Sequence, residues 1–295
     1  MNKAAVWLSA CCLAAGCASG TPSTPAIWKV SDADNSVYLL GSFHALKAED
    51  YPLSDQVMAA YADAERLAFE IAPDELQSPD LPAIMQQAAR LPAGQNLQAL
   101  LPEAAWRQLQ DWSQANPSYP IAGLNRLEPW YVAILVSNSR AQAEGFEPAR
   151  GVDQHFMNAA RPSAKPSIGL EKASQQIALF DGMPPAAQRQ LLQEALDGNA
   201  AEDARDLETL RRLWKAGDAA GLQRETIERM RREYPDLYRS VNVDRNHAWL
   251  PQVQAMLDAE TKDDTLVVVG ALHLLGDDGL VQLLRDKGYR VERLK

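Results

Sequence analysis

Two of the four histidines follow a glycine by three residues, each directly after an apolar run. His44 ends Gly41-Ser42-Phe43-His44, and His273 ends Gly270-Ala271-Leu272-His273. Open α/β sheets place their sites at the carboxyl ends of strands, and glycine lets the backbone turn tightly or lets a ligand approach closely. Two functional histidines are therefore predicted, with two buried structural histidines as the alternative.

A carboxylate, Glu70, lies near the end of a third apolar strand predicted over residues 66–71. Burying a carboxylate is costly unless it is paired or binds a metal. A salt bridge with an arginine would explain Glu70 alone. With His44 and His273 predicted nearby, a His/Glu/His metal site is the better explanation for Glu70. Such sites leave open positions for water on the metal. Nitrogen and oxygen ligands without a thiolate do not choose among Mn²⁺, Co²⁺ and Zn²⁺.

Three further polar residues stand at junctions between predicted elements. Glu171 follows a short strand at residues 166–170 and could be a general base, a further ligand, or a carboxylate stabilised by a helix dipole. Arg245 and Asn246 precede a helix and could hold an oxyanion or a substrate carboxylate, or only bridge helices to the sheet.

Strands at both ends of the chain are needed to position these side chains. Residues 27–40 read as a β-hairpin that runs into the first glycine–histidine motif, and a helix follows from about Ser54. Residues 265–269 form an apolar run suited to a parallel strand, followed by the second motif, a helix and a strand at 289–294. The pattern predicts an α/β fold with a central mixed sheet built from both ends.

Residues 27–295 are predicted to form one domain, with a largely helical insertion at about 75–260 as a cap. The insertion is rich in Ala, Gln, Leu and Arg at helical spacing. His155 and His247 lie in helical stretches and are interpreted as structural.

Composition and missing motifs exclude several classes of function. The net charge of −10 leaves no basic face for nucleic acid. There is no HExxH, GxSxG, Walker or GxGxxG motif, which argues against standard zincins, serine hydrolases, kinases and dinucleotide enzymes.

The first 17 residues resemble a bacterial export signal. A lysine precedes the apolar stretch Ala4–Ala15, which is too short to span a bilayer. Leu13–Cys17 resembles a lipobox, which would make Cys17 a lipidation site; Cys11 is a rival site, and cleavage near Ala18 is the alternative without a lipid.

The segment after this signal, residues 18–26, is predicted to be a flexible tether. All three cysteines lie in the signal, so the remaining chain has no disulfide framework. We expect a periplasmic protein, held at the outer membrane by a lipid anchor only.

Taken together, the motifs resemble those of the TraB/GumN (also PrgY) family over about residues 27–294. The resemblance rests on the two glycine–histidine motifs, the strand ending at Glu70, Gly151-Val152-Asp153, Gly169-Leu170-Glu171 and Arg245-Asn246. The family is similar to the animal Tiki proteases, the erythromycin esterases and the haem-binding ChaN proteins in an α/β fold with paired GxxH-type histidines.

The resemblance implies an exported, metal-dependent hydrolase acting on peptides, with Mn²⁺ or Co²⁺ favoured and Zn²⁺ possible. His44, Glu70 and His273 would bind the metal, Glu171 or Glu70 would be the base, and Arg245 would steady developing charge. Two alternatives remain: a non-catalytic envelope protein that sequesters a peptide or haem, and a metal-free esterase.

Overall fold

The computed structural model of the protein describes residues 21–197, 200–259 and 261–294. The export signal, Cys17 and the first part of the predicted tether lie outside the described residues. From Ser23 the chain is packed rather than free, because Ser23 is buried and its N–H donates to the carbonyl of Pro52. No helix in the described ranges is long and apolar enough to cross a membrane.

A six-stranded mixed sheet forms the centre of the molecule and confirms the predicted fold class. Its order is β4-β3-β5-β2-β1-β6. β2, β5, β3 and β4 are mutually parallel, while β1 is antiparallel to both of its neighbours, β2 and β6. The strands are β1 Ile27–Ser31, β2 Ser36–Ser42, β3 Arg66–Ile71, β4 Ser167–Glu171, β5 Thr265–Gly270 and β6 Arg290–Arg293.

The two ends of the chain meet in the middle of this sheet. β5 lies between β3 and β2, and every residue of β5 and β2 is buried. A run of valines and leucines without polar alternation is what a parallel strand covered on both faces requires. The unit strand, glycine–histidine motif, helix, strand therefore occurs at both ends, as predicted.

Helices make up most of the remaining chain. They are α1 Asp55–Asp63, α2 Pro73–Leu76, α3 Leu81–Ala88, α4 Leu97–Leu100, α5 Glu103–Ala115, α6 Ile121–Leu124, α7 Pro129–Ala143, α8 Val152–Ser163, α9 Ala173–Asp181, α10 Pro185–Asp197, α11 Ala200–Lys215, α12 Ala219–Leu222, α13 Arg229–Glu233, α14 Pro235–Tyr238, α15 Asp244–Leu257 and α16 Leu280–Asp286. Three 3₁₀ turns, Ala48–Asp50, Pro148–Arg150 and Ala271–Leu274, and two π-helical segments, Gln223–Glu228 and Arg239–Val243, complete the elements.

The helices of the predicted insertion contribute to three hydrophobic clusters of the described residues, the smallest of which joins Ala89, Trp130 and Ile177 between α3, α7 and α9. α8, α11 and α15 pack on the sheet through residues such as Phe156, Trp214 and Trp249. α5, α7 and α10 form a lobe with its own core. The buried residues of the lobe core are Leu91, Leu97, Leu101, Ala105, Trp106, Leu109, Leu124, Val132, Ala133, Val136, Leu192 and Leu196. Only this lobe resembles the cap expected from the sequence.

Candidate active site

The carboxyl ends of the four parallel strands bring the predicted residues to one edge of the sheet. His44 lies two residues beyond β2, and Glu70 and Glu171 lie at the ends of β3 and β4. His273 lies in the 3₁₀ turn that follows β5. Arg245, in the first turn of α15, contacts three of these side chains.

Glu70 is a buried carboxylate whose two oxygens both accept hydrogen bonds. Oε1 accepts the backbone N–H of Gly270 at 2.7 Å, and Oε2 accepts from Gln176 at 3.0 Å and from Arg245 at 2.6 Å. Burial disfavours the charged form. The charges of protonated His44 and of Arg245, together with the Gly270 N–H, nevertheless hold the pKa of Glu70 well below its usual range. Glu70 is therefore ionised at neutral pH.

Arg245 uses all of its N–H groups within the protein. Nε donates to both oxygens of Glu171, at 3.1 and 3.2 Å. One terminal nitrogen donates to Glu70 and Glu171, both at 2.6 Å, and the other donates to the Val241 carbonyl and His273 Nε2, both at 3.0 Å. The guanidinium has five donors in a fixed fork, so none remains for a substrate oxygen. The geometry makes Arg245 a residue that positions the two carboxylates.

His273 is a neutral, buried ring with both nitrogens engaged. Nδ1 lies 2.7 Å from Asn246 Oδ1, which requires the proton on Nδ1, since the Asn246 amide donates to the carbonyl of Asp278 at 2.7 Å. Nε2 then accepts the hydrogen bond from Arg245. The ring also lies 4.5 Å from that of Trp249. Burial lowers the pKa of His273 to about 3.

His44 differs from His273 because its side chain is 61% exposed. Nδ1 lies 3.2 Å from Asp153 Oδ1, which also accepts a hydrogen bond from Ser42 Oγ at 2.8 Å. Nε2 lies 3.7 Å from Glu70 Oε1. Partial desolvation opposes protonation, but the hydrogen bond to Asp153 and the charge of Glu70 raise the pKa of His44 to about 9. At neutral pH, His44 carries a proton that it can donate.

Gly270 provides the space in which His44 and Glu70 approach each other. A Cβ at this position would lie 3.1 Å from both Glu70 Oε1 and His44 Nε2. A cavity of about 220 Å³ opens beside them, lined by His44, Phe69, Glu70, Ile71, Leu76, Asp153, Met157, Gln176 and Val268. Glycine therefore serves close approach here rather than an unusual backbone angle.

The three predicted metal ligands converge, but their lone pairs are not all free. His44 Nε2 and His273 Nε2 lie 3.7 and 4.0 Å from Glu70 Oε1. His273 Nε2 accepts a hydrogen bond from Arg245, whose cation also neutralises Glu70. Within the described part of the chain, no group of three His, Cys, Asp or Glu side chains is arranged to hold a metal ion. As arranged, the residues do not fit a three-ligand metal site.

Comparison with known proteins places the chain in a family. A family model described as TraB/PrgY/gumN matches residues 26–293. The chain is a member of the TraB/PrgY/gumN family. The uncharacterised protein YbaP of Escherichia coli K12 is 29% identical over 262 residues, covering 88% of this chain and 92% of that protein. YbaP of Shigella flexneri matches to the same extent. No solved structure matches the chain.

Three residues of this TraB/PrgY/gumN site make contacts that were not predicted from the sequence. Asp153 orients His44, Asn246 orients His273, and Gln176 donates to Glu70. Gly151, two residues before Asp153, could have indicated a close approach of this segment to another part of the chain. In the structure, a Cβ at Gly151 would lie 2.4 Å from the His44 carbonyl oxygen. Gln176 carried no signal, since it is one of many glutamines on predicted helices.

The remaining histidines of this family member do not join the site. His155 packs against the rings of Tyr51 and Phe156, with centroids 5.0 and 5.1 Å away, and burial lowers its pKa. His247 is exposed on α15. The packing of His155 agrees with the structural interpretation made from the sequence, and for His247 that interpretation stays a prediction.

Proposed function

We propose that this protein is a hydrolase in which Glu70 and His44 act as a base and acid pair. The observation that carries the proposal is the 3.7 Å separation of His44 Nε2 and Glu70 Oε1 at the mouth of a cavity. One partner is an exposed, protonated ring oriented by a carboxylate, and the other is a buried, ionised carboxylate. Two titratable groups whose pKa values are moved apart by their surroundings mark acid and base roles.

The proposed reaction needs only a water molecule and a carbonyl substrate. Glu70 orients the water and accepts its proton as the water oxygen bonds to the carbonyl carbon. His44 donates its Nε2 proton to the leaving nitrogen or oxygen as the bond from carbon to that atom breaks. The proton on Glu70 then returns to His44, which restores both groups. The short distance between the two atoms makes this return a local transfer.

Arg245, Glu171 and His273 hold the pair in place in this proposal. Arg245 cannot steady a developing oxyanion, because its donors are already used, and Glu171 has both oxygens on Arg245. Their expected roles as charge stabiliser and base therefore become positioning roles. His273, expected as a metal ligand, fixes one nitrogen of Arg245 instead.

A peptide is the substrate class that we propose, and the requirement for Mn²⁺, Co²⁺ or Zn²⁺ stays a prediction. His44 Nε2 and Glu70 Oε1 lie close to Gly270 and could both bind a metal ion. His273 could provide a third ligand only if the hydrogen bond from Arg245 to its Nε2 were broken. Export, lipidation at Cys17 and an envelope location likewise stay predictions. Radiolabelled palmitate incorporation by the wild type, but not by Cys17→Ser, would test the lipid anchor.

The first test compares Glu70→Gln and His44→Gln with the wild type on a peptide mixture and on model esters. Loss of a general acid or base lowers kcat/KM by roughly 10²- to 10⁴-fold. His247→Gln is the matched control, because it removes an exposed histidine from the neighbouring helix. Hydrolysis that survives in both Gln variants would remove the basis of the proposal.

Measurements of bound metal and of product formation distinguish the proposed acid–base hydrolase from a metal-dependent hydrolase, a sequestering protein and an esterase. The purified protein is loaded with each metal, desalted and analysed for metal content beside His44→Ala and His273→Ala. Activity that survives EDTA favours the proposed acid–base reaction, whereas stoichiometric metal lost in both variants would favour the metal-dependent hydrolase. Tight peptide binding without any product would favour a sequestering protein, and cleavage of esters alone would favour an esterase.

A further inference from the structure

We propose that the cavity beside His44 and Glu70 is a subsite for one neutral, apolar side chain next to the hydrolysed bond, so the preferred substrates are peptides with Leu, Val or Met there. This inference rests on the proposed hydrolase function and names its substrate class. It is carried by the cavity's floor, its size and the bonding state of its polar groups.

The floor of the cavity is apolar and fixed. Phe69 and Val268 belong to the central strands β3 and β5 and are at most 1% exposed. Ile71 and Met157, at 8% and 5% exposed, complete the floor. Phe69, Val268 and Met157 belong to the core of the sheet and α8, and Ile71 is the last residue of β3, so the cavity is preformed. An apolar group that enters it leaves water without ordering its walls.

The size of the cavity limits what can enter. Its volume is about 220 Å³. Pockets that enclose a whole drug-sized ligand are roughly 300–1,000 Å³. This cavity therefore takes one side chain and the group attached to it, while the rest of a peptide stays outside. A longer apolar surface or a haem does not fit within it.

The two carboxylates on the wall are already paired with cations of the protein, Glu70 with Arg245 and His44, and Asp153 with His44. Asp153 Oδ1 already accepts from Ser42 and His44, and both oxygens of Glu70 are hydrogen-bonded. An acidic side chain would meet two carboxylates. A basic side chain would be desolvated over the apolar floor and would have to compete with these cations for the carboxylates, which is costly. A neutral apolar side chain avoids both costs.

Leu76 stands at the rim and is the residue that such a side chain would cover. It is one of the few large hydrophobic residues with substantial exposure, at 38%, and it ends the short helix α2 directly after β3. Replacing it with lysine brings a cation to the mouth without disturbing the buried floor. Ile84, 47% exposed on α3 and outside the cavity lining, is a matched control for the same change.

The experiment uses blocked Gly/Ser hexapeptides that differ only at one central residue, which is Leu, Gly, Asp or Lys. We measure kcat/KM with the purified wild type, Leu76→Lys and Ile84→Lys. Burying a leucine side chain predicts a preference for Leu over Gly of roughly 10- to 150-fold, with Asp and Lys no better than Gly. Leu76→Lys should lose most of this preference, and Ile84→Lys should keep it. Calorimetric titration of Glu70→Gln with the same peptides measures the preference without turnover.

The outcomes separate the subsite from the hydrolase. Equal rates for the Leu and Gly peptides would overturn the subsite and leave the hydrolase standing. Tighter binding of the Leu peptide to Glu70→Gln, lost when Leu76→Lys is added, would support the subsite. If the wild type hydrolyses no peptide, the hydrolase is overturned, and this binding preference would still support the subsite. If no peptide is hydrolysed and binding does not depend on the side chain, both the subsite and the hydrolase are overturned.

Discussion

Replacing Arg245 with methionine should remove the one cation that holds two buried carboxylates together. The side chains of Glu70 and Glu171 are only 13% and 8% exposed, and both lose their bonds to the guanidinium in this variant. Methionine keeps part of the packing on Trp249, whose ring centroid lies 4.6 Å from the guanidinium carbon. The effect therefore reports mainly on charge rather than on volume.

The expected loss of stability is large. Removing one partner of a buried ion pair costs about 3–5 kcal/mol, because an uncompensated charge remains inside the protein. For a chain of this size each kcal/mol corresponds to roughly 2–4 °C in Tm. The sign of the pH dependence follows from Glu70, whose folded pKa lies below its ordinary value of 4.5. The stability that depends on this carboxylate is present above pH 4.5 and is lost as the pH falls, so the deficit of the variant should narrow in acid.

Urea unfolding at pH 7 and pH 4, followed by circular dichroism, measures both effects. Arg107→Met is the control, because the Arg107–Glu103 pair is exposed on α5 and should contribute at most about 1 kcal/mol. Adding Glu171→Gln to Arg245→Met should restore part of the loss by removing one unpaired charge. A deficit below about 1 kcal/mol, or one that does not change with pH, would refute a buried charge network at this site.

Four further expectations follow from the same geometry. If His44 is the proton donor, kcat/KM should fall as the pH rises through about 9, and Asp153→Asn should move that fall to lower pH; an unmoved pH–rate profile would contradict the assignment. Because the folded pKa of His44 lies above its ordinary value of 6.5, its charge stabilises the fold fully below pH 6.5 and progressively less up to pH 9. His44→Gln should therefore flatten the pH dependence of the unfolding free energy in that window, and parallel curves for variant and wild type would count against it. Asn246→Leu should cost about 1–3 kcal/mol in urea unfolding, because the Nδ1 proton of His273 loses its buried acceptor; a cost near zero would imply a water in its place. If His44 and Glu70 form the proposed pair, Gly270→Ala should lower kcat/KM by roughly 10- to 100-fold with unchanged circular dichroism, because its Cβ would lie 3.1 Å from both side chains; full activity would show that they move freely.

The strands and their chemistry could be predicted because local pattern and position agree there. The apolar run of β5 and the glycine–histidine motifs after β2 and β5 already specify which edge of the sheet carries His44 and His273. Glu70 could be assigned to the same edge, since an acidic residue in an apolar strand needs a partner. The choice between an arginine and a metal as that partner could not be made from spacing, because it depends on where α15 places Arg245.

The parts that could not be predicted depend on contacts distant in the chain. Asp153 and His44 are separated by 109 positions, and their contact depends on the close approach of Gly151 to the His44 carbonyl. The division of the helices into those that pack on the sheet and those that form the lobe could also not be predicted from the sequence. An amphipathic pattern shows which face of a helix is buried but not the surface against which it packs. Gln176, on α9, donates a hydrogen bond to Glu70, and nothing in the local sequence distinguishes it from other glutamines on helices.

The position of β5 in the middle of the sheet determines when the central strands can pair during synthesis. β2 and β3 are made early but never touch along their length; each pairs with a strand that leaves the ribosome some 200 residues after Glu70. Until then both present open edges, and the parallel pairings that close them are of a kind that forms slowly. An unfinished chain therefore lacks the complete candidate site, and a deletion that begins before Thr265 removes the middle of the fold rather than its end. Exposed edges of this kind favour pairing with other chains, so the unfinished chain is expected to be prone to aggregation during its synthesis.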